Sequence, residues 1–350
     1  MSALRNATRR RRGQAVLPAT LAATALLAAA CTTSGNPTAS NPSSSGSASG
    51  KTLVVRGIGG NTSDPFWTTF MCGGTKEAAK LGINFKWYAG TTTDTTTMQT
   101  NYNEALLDHP QGLLINPFDA GQFAAATKKL MAKGIPVVSS VAFTPPTQYT
   151  AILSNQDGSG LVPYALKLAG ASGTVATVGG VSGIPVLEQR YQPLLTALKK
   201  QRPGLTLLPV QYDNFDTVKA QTILAGDILA HPDLKLIIVA TGPEGQGAAA
   251  AVDQAGKKGK IKVLAFDAVP AEVTALKNGT ISALAGQPAV AEGAAQVDAI
   301  VTYLKAHPSG GPVTPGGQAA IKLLPLGIIT PSNVNSPAMA GYEYSATCNS

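Results

Sequence analysis

The feature that most restricts the fold of this chain is an alternation repeated along nearly its whole length. Beyond residue 50, short apolar runs recur as LVVRGI, INFKWYA, GLLINP, IPVVSSV and YTAILSN, then as GTVATVGG, LTLLPVQY, LKLIIVA, IKVLAFD and ISALAGQ. Between most of them lie helically periodic stretches such as QFAAATKKLMAKG and VLEQRYQPLLTALKKQ, set off by Gly, Pro, Asn and Asp. Strands that are apolar throughout are buried on both faces, and a helix between successive strands makes them parallel. Ten such strands are too many for one small sheet. The pattern therefore predicts two doubly wound α/β domains, for which 350 residues suffice.

The first fifty residues read differently. A basic run, RNATRRRR, precedes the apolar segment VLPATLAATALLAAA and then Cys31. That is an export signal, and its apolar part is shorter than the roughly 20 residues a membrane span needs. LLAAAC matches a lipobox, which would make residues 1–31 a lipoprotein signal with Cys31 lipidated. Plain cleavage after Ala30 is the alternative. Residues 32–50, TTSGNPTASNPSSSGSASG, carry no charge and cannot bury a core, so they read as a flexible tether. The net charge of +8 belongs mainly to this leader: without its five arginines, 22 basic residues face 19 acidic ones. Such a small excess gives no reason to expect nucleic-acid binding.

Two cysteines remain, Cys72 and Cys348. Outside the cytoplasm such a pair is expected to be bridged, tying the C-terminal tail to the start of the first helix. Two thiols without a nearby histidine make a poor zinc site, and neither metal nor cofactor is expected. His109, His231 and His307 each precede proline at the end of a helical stretch, where a cation suits the dipole and proline ends the helix.

Enzyme motifs are scarce. No G-x-S-x-G, H-E-x-x-H or Walker A pattern is present. GQGAAA at 245–250, with Asp267 some 20 residues on, imitates a dinucleotide fingerprint, but TGPE separates it from the preceding strand. Polar and aromatic residues gather instead at strand ends, in SDPFW, NPFD, FDA and GQP. In open α/β sheets those ends face the ligand crevice.

Read in order, six of these motifs are similar to those of the type I periplasmic sugar-binding proteins, the ribose-binding family of ABC-transporter receptors. The resemblance runs from about Leu53 to Asn333. It implies two α/β domains joined by a three-segment hinge: 51–155 with 288–325, and 156–287 with 326–350. DPFW matches the family's first-strand motif and implies ligand contacts at Asp64, Phe66 and Trp67. GLLINP implies Asn116, VLEQRYQ implies Arg190, and DNFD implies Phe215. AFD and GQP imply Asp267 and Gln287. Each also has a plainer reading: Asp64 and Asp267 as helix caps, Phe66, Trp67 and Phe215 as packing, Asn116 as a turn former, Arg190 as a surface charge, Gln287 as an ordinary hinge residue.

Carboxylates, amides and a guanidinium suit vicinal hydroxyls, and aromatic rings suit the C–H faces of a sugar or polyol. Two departures stand out. Val141 and Ala142 occupy the place of the ribose branch's Asp-Arg pair, with Ser139 and Ser140 beside them, and Gly242, Pro243 and Glu244 replace its N-D step. The resemblance therefore implies a non-enzymatic, monomeric, membrane-anchored lipoprotein that delivers a sugar or short polyol to an ABC permease. A sensory protein for a furanone-like or other small polar ligand, and a secreted enzyme, are the alternatives.

Overall fold

The computed structural model describes residues 52–91 and 94–348. The expected signal segment, Cys31 and the tether lie outside the described residues. Two six-stranded sheets organise the body. The first contains β1 (Val54–Asn61), β2 (Asn84–Gly90), β3 (Gly112–Asn116), β4 (Val137–Ser139), β5 (Thr150–Ser154) and β11 (Ile321–Leu324). The second contains β6 (Ser172–Val178), β7 (Gly204–Leu207), β8 (Leu234–Val239), β9 (Lys262–Phe266), β10 (Ala283–Gly286) and β12 (Gly327–Ile329).

Strand orders are β2-β1-β3-β4-β5-β11 and β7-β6-β8-β9-β10-β12. Every pairing is parallel except that of β12 with β10. Both sheets are thus doubly wound, with the strand order reversing between β1 and β3 in one and between β6 and β8 in the other. The chain passes between sheets three times: after β5, after β10, and between β11 and β12. The ten strands expected from the sequence are all present in the expected order. The sequence reading did not include the short strands β11 and β12.

The helices follow as α1 (Pro65–Leu81), α2 (Thr95–Leu107), α3 (Ala124–Ala132), α4 (Val162–Leu168) and α5 (Pro185–Gln201). After them come α6 (Thr217–Ala230), α7 (Gly242–Gln254), α8 (Pro270–Lys277) and α9 (Ala289–Ala306). Local chemistry sets their ends. Asp64 caps α1 by accepting from the Phe66 amide at 2.9 Å, Pro65 takes the first turn, and Gly82 ends the helix at φ 66°. Asp216 caps α6 in the same way. His231 and His307 sit at the C-caps of α6 and α9, and His109 follows α2, as their pre-proline positions predicted.

Apolar side chains fill both faces of each sheet, with Ile58, Leu113, Ile115 and Met131 on one side of the first and Val55, Leu114, Val138 and Ile300 on the other. A fifth cluster differs in kind: Trp67 and Phe70 of α1, Val269 before α8, Ala289 of α9 and Tyr344 of the tail pack together. The segment after β12 first covers the second sheet with Val334, Met339 and Tyr342. It then leaves that sheet and ends on α1, where Cys348 is bonded to Cys72 in mid-helix.

The dinucleotide-like glycines have a packing role. Gly245 and Gly247 lie inside α7, and a Cβ at Gly247 would collide with Ala220 and the α6 backbone. These glycines let two helices approach closely.

Candidate functional site

The carboxyl ends of the strands carry most of the polar groups singled out in the sequence: Asp64 and Asn116 at the order reversal of the first sheet, Asp267 and Gln287 after β9 and β10 of the second. On the side of the first sheet, Asp64 follows β1 and Asn116 closes β3. Asp64 combines its capping role with a position where it feels the charges of Asp267 and Arg190. Burial, and next Asp267, push its pKa up to about 6. Asn116 is fully buried; its Oδ1 accepts from the Ser140 amide at 2.7 Å, while its Nδ2 has no protein partner. A buried amide donor left open at a strand end is a group awaiting an acceptor.

The rings are arranged differently from expectation. Trp67 is only 8% exposed, packed edge-on against Phe66 at 5.1 Å, Phe70 at 5.3 Å and Phe118 at 6.0 Å. Gly60 approaches the indole so closely that a Cβ there would stand 3.1 Å away. Trp67 is therefore largely a structural ring, and the open faces at the strand ends belong to Phe118 (54% exposed) and Phe215 (45% exposed). Phe215, at φ 62°, projects after the DN turn against Gly180.

On the side of the second sheet, Arg190 of α5 is buried and makes a fork of contacts. Its Nε donates to Gln156 Oε1 at 2.9 Å, and its Nη1 to the Ala240 carbonyl at 2.9 Å and to Asp267 Oδ1 at 3.4 Å. The guanidinium also lies over the Phe266 ring at 5.3 Å. Asp267, held at φ 77°, accepts the Gly242 amide on Oδ2 at 3.0 Å, at the start of α7. Gln287 Nε2 donates to Asp267 Oδ1 at 2.9 Å, and Gln287 Oε1 accepts from Gln156 Nε2 at 2.9 Å. Arg190, Gln156, Gln287 and Asp267 thus form a closed ring of hydrogen bonds. Gln156 and Gln287 belong to two of the three crossings, so the ring spans the hinge itself.

A second cluster lies beside it. Asp213 and Glu244 are fully buried neighbours; neither Asp213 oxygen nor Glu244 Oε1 has a hydrogen-bond donor, and only Glu244 Oε2 is served, by the Thr241 hydroxyl. Burial, then the charge of Asp213, lifts Glu244 to about 8, and burial also raises Asp213. Burial thus favours the neutral form of both carboxyls, and for Glu244 the charge of Asp213 adds to it. Glu272, buried at the start of α8 and accepting from the Val269 amide, is likewise pushed well above the carboxylate range, by burial first and then by Asp267. Arg190 acts on Asp64, Asp267 and Glu272, while the charge of Lys219 reaches Asp213.

Sequence reasoning named Arg190, Asp267 and Gln287, which the structure joins in one network, and Asp64, which it holds within electrostatic reach of them. It did not name Gln156, Phe118, Asp213 or Tyr344 as site residues, and it treated Glu244 only as a replacement. Phe118 was readable from NPFD. Asp213 stands in the same DNFD stretch that supplied Phe215, and nothing in the sequence marked Gln156 or Tyr344.

Two doubly wound lobes with three crossings and polar groups converging between their strand ends define a periplasmic binding protein of type I. A family model described as "Periplasmic binding protein domain" matches residues 58–308, and the chain belongs to that family, a sugar-binding family. It is a binding protein and not an enzyme. The chain is 25% identical to the ribose import binding protein of Escherichia coli K12 over 228 residues, 64% of this chain and 76% of the relative. It is 27% identical to a D-ribose/D-allose-binding protein of Pseudomonas aeruginosa over 204 residues, 56% of this chain and 63% of the relative. A solved ABC-transporter solute-binding protein from Agrobacterium vitis, bound with α-D-tagatopyranose, superposes with a TM-score of 0.73 at 26% identity, covering 84% of this chain and 99% of that one.

Proposed function

We propose that this protein is an extracytoplasmic lipoprotein, anchored through Cys31, that captures an uncharged sugar or short polyol between its lobes and presents it to an ABC permease. The reading takes the lobes as 51–155 with 288–325 and 156–287 with 326–350, in keeping with the strands each sheet contains. The observation that carries it is the set of open polar groups on both sides: Asn116 Nδ2 on one, both Asp213 oxygens and Glu244 Oε1 on the other. A polyhydroxylated ligand supplies the acceptor the amide lacks and the donors the carboxyls lack. The names of the relatives, which bind ribose, allose and tagatopyranose, point to the same class.

A ligand that touches both lobes only when they are closed shifts the population toward closure, and the permease responds to the closed form. Thermal-shift measurement of the purified protein with erythritol, D-ribose, D-arabinose, D-tagatose and myo-inositol tests the reading. A ligand at about 100 times its Kd adds roughly 2.7 kcal/mol of stability. If no sugar or polyol raises Tm, the carbohydrate assignment fails.

A further inference from the structure

The C-terminal tail brings into this site a side chain that neither the motifs nor the crossings account for. Tyr344 is buried, and its hydroxyl lies between Gln287 and Asp267, two of the residues for which ligand contact is expected. It accepts from the Gln287 backbone amide at 3.1 Å and from Gln287 Nε2 at 3.3 Å, and it donates to Asp267 Oδ1 at 3.3 Å. The ring packs edge-on against Phe66 at 5.5 Å. Both the polar head and the ring of Tyr344 therefore meet residues of the expected ligand set, from the second sheet, the hinge and α1.

The tail is held in place on both sides of this tyrosine. The Tyr344 amide donates to the Ala268 carbonyl at 2.9 Å. The Ser345 amide donates to Thr69 Oγ1 at 2.7 Å, and the disulfide from Cys348 to Cys72 closes the tail onto α1. With its backbone pinned at these points, the phenol has little freedom to swing away. The consequence for Asp267 is direct: Oδ1 already accepts from Arg190, Gln287 and Tyr344, and Oδ2 from Gly242. A carboxylate has about four acceptor positions, so a ligand hydroxyl gains full access to Asp267 only by displacing one of these donors.

We infer that Tyr344 is a specificity-determining residue of the cleft: held by the disulfide-anchored tail, it fills the hinge-side end, occupies Asp267 and Gln287, and restricts the site to ligands short on that side. This rests on the carbohydrate reading and sharpens it, favouring four- and five-carbon polyols and sugars over hexoses and cyclitols. The same position would let a cleft without an Asp-Arg pair after β4 discriminate, since a rigid wall excludes by size.

Titration calorimetry of the full protein with erythritol, D-ribose, D-tagatose and myo-inositol, for wild type, Tyr344→Ala and Tyr344→Phe, decides the matter. Wild type is expected to favour erythritol or ribose. Tyr344→Ala opens the hinge end and shifts the affinity ratio of tagatose or inositol to the smaller ligand by at least about tenfold. Tyr344→Phe keeps the ring, and hence the packing, but frees Asp267 and Gln287; it shifts the ranking by at least about threefold. Binding that emerges only in the alanine variant also supports the inference, with the tail acting as an occluder. If wild type binds and both variants keep its ranking, changing only Tm, Tyr344 is a structural strut and the inference falls while the carbohydrate reading stands. If neither wild type nor any variant binds a member of the panel, both fall together.

Discussion

Replacing Glu244 by glutamine removes one ionisable member of the buried acid pair while keeping its shape. In the folded protein Glu244 holds its proton up to about pH 8, against 4.5 for an ordinary glutamate, because burial and the neighbouring Asp213 charge oppose ionisation. The unfolded chain loses that proton earlier. The stability involved is therefore complete below pH 4.5 and is lost as pH rises through about 8. At about 1.36 kcal/mol per pKa unit, the ceiling on that loss is ~5 kcal/mol. The help that the Thr241 hydroxyl gives the charged form is already contained in that pKa, so a loss of roughly 2–4 kcal/mol between about pH 5 and pH 9 is the working expectation. Urea unfolding across that range should show wild type falling more steeply than Glu244→Gln, whose amide donates to Asp213 at every pH. Asp64 and Glu292, raised to about 6 and about 7, lend both proteins a common slope, which the difference curve removes. Parallel curves for the two proteins would refute a Glu244 carboxyl held neutral by burial and Asp213.

Reduction of the disulfide, or Cys348→Ser, releases a loop with a sequence separation of 276 residues. Chain entropy assigns that closure ~5 kcal/mol, so Tm measured with and without reductant should differ by roughly 10 °C; an unchanged Tm contradicts a stabilising bridge. Gly247→Ala places a methyl group against the α6 backbone and should destabilise by about 1–3 kcal/mol in urea unfolding, without any change in nucleotide binding. Phe215→Ala removes a half-exposed ring and should leave stability within about 0.5 kcal/mol while weakening ligand binding; retained affinity would make the ring a surface feature.

Much of the fold was legible because strands buried on both faces must be apolar throughout, and that pattern survives without any knowledge of partners. LKLIIVA and IKVLAFD became β8 and β9 almost residue for residue. β11 and β12 escaped because IKLLPLGII follows a Gly- and Pro-rich stretch and is split by Pro325, leaving two runs too short to carry a period. The candidate site was legible where chemistry sits at strand ends, as with Asp64, Asn116 and Asp267. Trp67 shows the limit of that rule: being beside a loop did not make it open, since Phe118 and Gly60 close over it. The acid pair and Tyr344 were hidden for a different reason. Asp213 meets Glu244, and Tyr344 meets Gln287, only after long-range folding brings separate segments together, and no local pattern records such meetings.

The central claim is that one uncharged sugar or polyol is held jointly by both lobes. Titration calorimetry of the purified protein with the carbohydrate panel, comparing wild type with Asn116→Ala on the side of the first sheet and Asp213→Asn on the side of the second, tests it most directly. One-site binding by wild type, with each substitution separately weakening affinity by at least about tenfold, is the predicted result. Absence of binding by wild type, or full affinity retained when either side is altered, would contradict it.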